Sequence, residues 1–362
     1  MISLLIIMST IVAEYIWLDN DNKLRSKTKT IFNIDKNSEF KLSTYDNWNY
    51  DGSSTGHTRA DDSEIVLKPC TVCRSPFQYN EQHYFQVLVL CSTYNTKDEP
   101  LPTNHRHRAE ELFNSNIGAE PWFGLEQEFF LMSIDEENPS TRTTTPVGWN
   151  KKGGWGTNTP KDQGQYYCSV GSNNSFGREV VEKAYYYCLD AGISVSGMNA
   201  EVAPGQWELQ IGPCTGIETG DQLLLTRYIL ECVAETYHID INYEPKPLSD
   251  NWNGSGCHVN FSSKFMRSPN GLSAINEAVE KLSIKHDEHI KVYGINNNKR
   301  LTGKQKTSNY KTFSHGVGDR TASVRIPHHV NRAGMGYLED RRPGANIDPY
   351  QVTSKIFETC CL

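Results

Sequence analysis

The stretch Trp122–Met132, read W-F-G-L-E-Q-E-F-F-L-M, places the tightest limit on what this chain can fold into. It alternates. Phe123, Leu125, Phe129 and Leu131 fall on one face of a β-strand, while Glu126 and Glu128 share the other with Gly124 and Phe130. At the edge of a sheet such a strand would simply turn two carboxylates to water. In a central strand the same two charges, roughly 7 Å apart, would be desolvated, and each would need a proton or a counter-ion. Apolar residues crowd both sides of the glutamates. On this stretch alone, solvent exposure and a metal site both remain open.

A chain of 362 residues is long enough for one large or two ordinary domains with full cores. The formal net charge of −7 offers no global attraction to nucleic acid or to an anionic membrane, so a polyanionic ligand would have to meet a local cluster of Arg or Lys. The apolar run within Met1–Ile11 is too short to span a bilayer and lacks a basic flank and a cleavage site. It reads as an N-terminal extension over residues 1–10. Cys70–Cys73 is a lone C-x-x-C with no second pair at zinc spacing, and reduced thiols in a cytoplasmic protein are the expectation for the ten cysteines.

Ile11–Asp19 and Leu24–Phe32 alternate around the turn residues N-D-N-K and predict a hairpin. Val87–Cys91 predicts a strand buried on both faces. Between them Trp48–His57, W-N-Y-D-G-S-S-T-G-H, reads as a loop without regular structure. A boundary near residue 100 separates a β-rich domain over 11–98 from a larger one over 99–362. Thr103 is the expected cap of a helix over His105–Asn114. Beyond the Gly/Pro-rich loop Thr144–Gly164, helices are expected at about Gly177–Ala191, Asp221–Tyr237 and Ser273–Ile290. Strands are expected at Val195–Val202, Gln206–Ile211, Cys257–Ser262, Ala322–Pro327 and Gly336–Arg341. The fold class is α+β, with a largely antiparallel sheet and flanking helices.

A second pair of carboxylates lies in M-N-A-E-V-A-P-G-Q-W-E-L-Q-I-G. Ala203–Gln206 has Pro and Gly where a type II turn needs them, and pairing outward sets Glu201 opposite Glu208. Such a pair destabilises a sheet unless something positive lies between, although one residue of bulge would separate the two. On later strands His258 shares a face with Asn260 and Ser262, and Glu339 shares one with Tyr337 and Arg341. Five glutamates and an imidazole form a hard, oxygen-rich set suited to Mg²⁺ or Mn²⁺. Arg300, Arg320, Arg325, Arg341 and Arg342 crowd the last 63 residues. Singly each reads as a surface charge; together with the glutamates they point to metal-assisted phosphoryl transfer without a P-loop.

The motifs W-N-Y-D-G-S-S-T-G, W-F-G-L-E-Q-E, N-A-E-V-A-P-G-Q-W-E-L-Q-I-G-P, N-W-N-G-S-G-C-H-V-N-F-S, R-L-T-G, R-T-A-S-V-R-I-P and Y-L-E-D-R-R-P-G-A-N resemble, in family order, glutamine synthetase of the eukaryotic type. The resemblance implies a small β-grasp-like N-terminal domain and a larger catalytic domain. It also implies ring homo-oligomers, stacked pentamers in this type, with active sites between neighbouring subunits. The implied reaction joins L-glutamate and ammonia at the expense of ATP through γ-glutamyl phosphate. By the same resemblance Glu128, Glu201 and Glu208 hold one metal ion, and Glu126, His258 and Glu339 another. Asn251, Trp252, Gly254, Arg300, Arg320 and Arg341 correspond to the glutamate pocket. The nucleotide site corresponds to Glu126, Glu208, Leu209, Gln210, Ile211, Gly212, Pro213, Asn260, Phe261, Ser262, Arg320, Arg325, Tyr337, Leu338 and Glu339. Asp51 matches the aspartate that binds and deprotonates ammonium across a subunit interface.

One position departs from the family pattern. A glutamate follows R-L-T-G at the third place in the family, on a flap over the site, where it completes the ammonium site. Here the run is R-L-T-G-K-Q-K, with Lys306 at that place and no acidic residue from Asn296 to Lys311. Lysine has the wrong sign to bind ammonium but is placed to pair with phosphate oxygens. The expectation is an intact phosphoryl-transfer half and an altered amination half, Lys306 joining Asp51, Arg320 and Arg341 as catalytic candidates. A glutamate- or nucleotide-binding protein without turnover, and a γ-glutamyl ligase for another amine, are the alternatives.

Overall fold

The computed structural model describes residues 8–77, 84–133, 145–148, 163–248 and 252–362. Most of the loop Thr144–Gly164, and Asn251, lie outside the described residues. The chain divides into two compact units, Met1–Arg108 with Tyr187–Ile193, and Ala109–Tyr186 with Ser194–Leu362.

Among its described residues the first unit is built on a five-stranded sheet. Strands β1 (Met8–Leu18) and β2 (Leu24–Asp35) form the expected hairpin, closed by Leu18 opposite Leu24. Its first strand begins inside the stretch read as an N-terminal extension. Strands β3 (Trp48–Asp51), β4 (Glu64–Arg74) and β5 (Phe85–Tyr94) follow, and the order across the sheet is β2-β1-β5-β4-β3. Central β5 runs parallel to β1, and its residues from Val87 to Thr93 are buried, as the uninterrupted apolar run requires. The core takes alternate residues from each strand: Ile11, Ala13, Tyr15 and Trp17 from β1, Val87 and Val89 from β5, Ile65 and Leu67 from β4.

Two readings of this region are corrected. Trp48–Asp51 is an edge strand paired with β4, because Tyr50 buries its ring against Trp17 and the backbone has a partner in β4. Regular structure ends only where Gly52–Thr55 turns into a short 3₁₀ segment. The cap of helix α1 (His105–Ser115) is Asn104, whose Oδ1 accepts from the His107 N–H at 3.3 Å. The Thr103 hydroxyl instead meets His57 Nε2 at 3.1 Å. Strand β4 has no counterpart among the sequence expectations: Pro69 interrupts it, and the register shifts between Pro69 and Thr71.

The second unit carries a nine-stranded sheet among its described residues, with order β12-β13-β14-β11-β6-β9-β8 and β7 and β10 also paired to β6. Its members are β6 (Trp122–Ser133), β7 (Thr145–Pro146), β8 (Val195–Ala200), β9 (Gln206–Thr215), β10 (Ile239–Asn242), β11 (Cys257–Ser262), β12 (His315–Val317), β13 (Val324–Ile326) and β14 (Leu338–Asp340). Helices α2 (Arg178–Asp190) and α3 (Glu218–Thr236) stand near their expected places. The single helix expected over Ser273–Ile290 is two, α4 (Gly271–Ile284) and α5 (His286–Ile290), broken at Lys285. Helices α6 (His328–Ala333) and α7 (Pro349–Cys361) complete the unit. Its strands are almost all antiparallel, so the chain is α+β. Among the described residues no helix is long and apolar enough to cross a membrane.

Candidate active site

Strand β6 is central. It lies between β11 and β9, which removes the solvent-exposed reading of its glutamates. Glu126 faces His258 on β11 and Gln210 on β9, and Glu128 faces Glu208 on β9. The carboxylate pair across a ladder is therefore Glu128–Glu208. The expected Glu201–Glu208 pairing is corrected: Asn199 stands opposite Glu208, and the Glu201 N–H bonds the Gln206 carbonyl at 2.8 Å. The turn itself is as read, with Gln206 N–H donating to the Ala203 carbonyl and Gly205 at φ +68°. A Cβ at Gly205 would lie 2.8 Å from the Val147 carbonyl oxygen, so glycine is needed for space as well as for φ. The two-residue error in register preserved the face, because strands repeat every two residues.

Two clusters result. Ligand atoms of Glu128, Glu201 and Glu208 lie within 4.8 Å of one another, as do those of Glu126, His258 and Glu339. In the first cluster all three residues are buried, and burial, followed by the neighbouring glutamates, raises each carboxyl pKa above its ordinary 4.5. Glu128 accepts from the Gly256 N–H at 2.6 Å, Glu201 from Asn199 Nδ2 at 3.2 Å and Glu208 from Gln210 Nε2 at 2.6 Å. These bonds orient the carboxylates without neutralising them. A divalent cation fits such a donor set, because it supplies the missing positive charge.

In the second cluster His258 Nδ1 lies 3.1 Å from Glu126 and 3.7 Å from Glu339. Its Nε2 accepts from Arg300 Nη2 at 3.1 Å, since a guanidinium only donates. Burial, then the Arg341 charge, holds the His258 pKa well below 6.5, so the ring is neutral; accepting at Nε2, it carries its proton on Nδ1, toward Glu126 and Glu339. Gly256 makes room for this contact: a Cβ there would meet Arg300 Nη2 at 2.3 Å. Glu339 is fully buried between Arg325 Nε and Arg341 Nη1, the latter at 2.5 Å, and Asn260 Nδ2 donates to Glu126 at 2.9 Å.

Both clusters open into a chamber of about 570 Å³ lined by Glu126, Glu128, Glu201, Glu208 and His258, and by Arg300, Lys306, Arg320, Arg325 and Arg341. A second cavity of about 470 Å³ shares Glu126 and Gln210 with it and is walled by Phe123, Leu125, Ile211, Pro213, Phe261 and Tyr337. Gly212, Asn260 and Ser262 also line that second cavity. Leu209 and Leu338, also matched to the nucleotide site, are fully buried and line neither cavity. Of the residues matched to a glutamate pocket, Gly254, Arg300, Arg320 and Arg341 line the chamber. Trp252 instead packs against an apolar cluster of Phe130, Met132 and Ala203, and its neighbour Asn253 faces the chamber.

Tyr167, Asn253, Gln305 and Thr307 also line the chamber and were not anticipated; they come from irregular segments with no period to read. Among the described residues, every one that lines the chamber belongs to the second unit. Asp51 belongs to the first, exposed, its carboxylate held by the Ser53 and Ser54 hydroxyls at 2.6 and 2.7 Å, which lower its pKa to about 2.

Comparison with known proteins agrees with this arrangement. The family model "Glutamine synthetase, catalytic domain" matches residues 102–360. A relative from Acanthamoeba polyphaga mimivirus is 49% identical over 350 residues, covering 97% of this chain and 94% of its own. Proteins named glutamine synthetase from Agaricus bisporus and Saccharomyces cerevisiae are each 46% identical, over 97% of this chain and 94% and 89% of theirs. With the match running through both carboxylate clusters and the arginines around them, the chain belongs to the glutamine synthetase family.

Proposed function

We propose that the protein is an ATP-dependent glutamate–ammonia ligase that forms L-glutamine and releases ADP and phosphate. The observation that carries this reading is the convergence, in one chamber of a glutamine synthetase family chain, of two three-ligand clusters and four arginines. In the first step a γ-carboxylate oxygen of glutamate attacks the γ-phosphorus of ATP and ADP departs. In the second, ammonia attacks the acyl carbon, phosphate leaves, and the amine gives up a proton. Glu128, Glu201 and Glu208 would hold one Mg²⁺ or Mn²⁺ ion, and Glu126, His258 and Glu339 another. Bound there, the ions supply charge neutralisation at the phosphoryl group.

The chain's own groups do the rest. Guanidinium forks of Arg320, Arg325 and Arg341 are suited to phosphoryl oxygens, and Arg300 with Gly254, Asn253 and Arg341 to the glutamate carboxylates. The apolar second cavity suits a purine, with the phosphates directed to the chamber through the shared Glu126 and Gln210. Asp51, anionic at every ordinary pH, is the candidate that attracts ammonium and accepts its proton. We assign the β-grasp-like domain to 11–98 and the catalytic domain to 99–362. We place the active protein in the cytoplasm as a ring homo-oligomer, a decamer by the family pattern, with Asp51 acting on a neighbour's chamber. The hairpin β1–β2 and the parallel pairing of β1 with β5 support the first assignment.

Lys306 does line the chamber, which supports an altered amination step rather than a binding protein, since the ligand sets and arginines are all present. The test is glutamate- and ammonium-dependent ADP release by the purified chain, with γ-glutamyl hydroxamate formation from hydroxylamine alongside. ADP release that ignores glutamate, and no hydroxamate, would remove the ligase reading.

A further inference from the structure

We propose that His286 is a positioning residue that fastens the chamber-lining loop 301–310 to strand β14 through the relay Asp340–Arg342–His286–Tyr310. Its effect on catalysis rests on the ligase reading above; its effect on the loop does not. Asp340 and Arg342 have no exposed surface, and His286 is 6% exposed. Arg342 donates from Nε to Asp340 Oδ1 at 2.9 Å and from Nη2 to Oδ2 at 2.6 Å. Its remaining nitrogen, Nη1, lies 3.0 Å from His286 Nδ1. On the far side of the ring, His286 Nε2 lies 3.0 Å from the carbonyl oxygen of Tyr310.

A guanidinium cannot accept and a carbonyl cannot donate. The ring therefore accepts at Nδ1 and donates at Nε2, a single neutral tautomer. Burial, ahead of the Arg342 charge, keeps its pKa below 6.5, in agreement. The charged groups facing the ring are Arg342 and Asp340 beside it and Asp287 on its own helix α5. Phe313 closes its edge at 5.9 Å between ring centres, and the Arg342 guanidinium lies over the same Phe313 ring at 5.1 Å.

The two ends of this relay are both functional ground. Glu339 precedes Asp340 on β14, and Arg341 follows it. The loop presents Gln305, Lys306 and Thr307 to the chamber. It is a closed turn: Tyr310 N–H bonds the Leu301 carbonyl at 2.9 Å, Gly303 N–H bonds Ser308 at 3.1 Å, and Thr302 bridges Asn309. Its first foot is held through Arg300, which donates to the Arg341 and Arg342 carbonyls. Its second foot, Tyr310, is the one His286 holds. At the tip Gln305 and Lys306 both have positive φ, +47° and +58°, so the turn has little slack to absorb a moved foot.

The test compares wild type with His286→Gln and His286→Phe in the full-length chain. An amide offers an acceptor and a donor as the neutral ring does; phenyl offers neither. In His286→Phe the amides of Gly303 and Tyr310 should exchange hydrogen about tenfold faster, and KM for glutamate should rise about tenfold with kcat within about threefold. His286→Gln should match wild type in both. If His286→Phe keeps loop protection, or His286→Gln loses it, the assignment is wrong. Should His286→Phe not fold, ¹⁵N shifts of wild-type His286 decide: a protonated Nδ1 with a bare Nε2 overturns it. A wild type without glutamate-dependent turnover would sink the ligase reading while leaving the exchange result to judge the relay.

Discussion

Glu128, Glu201 and Glu208 are buried together, and their raised pKa values state a conflict between folding and function. With no cation bound, protons relieve the repulsion. With a divalent ion, the same three groups become ligands. Substituting Glu201 by Gln should lower Mn²⁺ affinity by about 10- to 100-fold or more while leaving the metal-free protein at least as heat-stable as wild type. Calorimetric Mn²⁺ titration beside thermal melts reads both, and an unstable variant with unchanged Mn²⁺ affinity would make Glu201 a structural residue. Lys306→Glu tests the lid. It replaces a cation at the chamber wall by an anion and should lower the apparent KM for ammonium by about tenfold. Unchanged ammonium affinity and turnover would show that the lysine is a bystander.

At the scale of elements, the hairpin β8–β9 and strand β6 are one device for gathering carboxylates. Gly205→Ala forces a Cβ toward the Val147 carbonyl at a φ of +68° and should cost about 1–3 kcal/mol in urea unfolding, with Mn²⁺ affinity falling because Glu201 sits at the hairpin's end. Linkage gives a second expectation. These carboxyls keep their protons in the folded protein but lose them near pH 4.5 when unfolded, so unfolding releases protons above that pH. Stability of the chelated protein is therefore greatest below the unfolded pKa and declines as pH rises toward the folded values. Melting temperatures in chelator should fall between about pH 5 and about pH 8, and Mn²⁺ should flatten or reverse the trend. A flat curve in chelator would mean the clusters are already compensated from within the chain.

The whole molecule poses the question of Asp51. It sits in the first unit, whereas every described residue lining the chamber sits in the second. If sites form between subunits of a ring, an Asp51→Ala chain and a Glu208→Gln chain are each inactive, yet mixing them by co-expression should restore roughly a quarter of the sites. Activity that stays at zero in the mixed assembly would place both residues in the service of one subunit's own site.

Much of this was legible in the order of residues. Alternation marked β6 and its two glutamates; Pro204–Gly205 marked the hairpin; Cys257–Ser262 was read to the residue, because its apolar and polar faces alternate cleanly. Where local signals were ambiguous, the expectations slipped. Trp48–Asp51 is rich in turn formers yet is a strand, since pairing with β4 and burial of Tyr50 outweigh local preference. Pro69 hid β4, and Lys285 breaks a helix that the apolar period alone would continue. Strand parity decided which side chains share a face, and so which glutamates, histidine and arginines could meet. Only the tertiary structure decided their partners: Glu128 across from Glu208, Glu126 across from His258, and β6 at the centre of the sheet. The reason is range. A face depends on a two-residue repeat within one strand, whereas register and burial depend on the pairing of strands far apart in the chain, such as β6 and β11, where Glu126 and His258 are 132 residues apart.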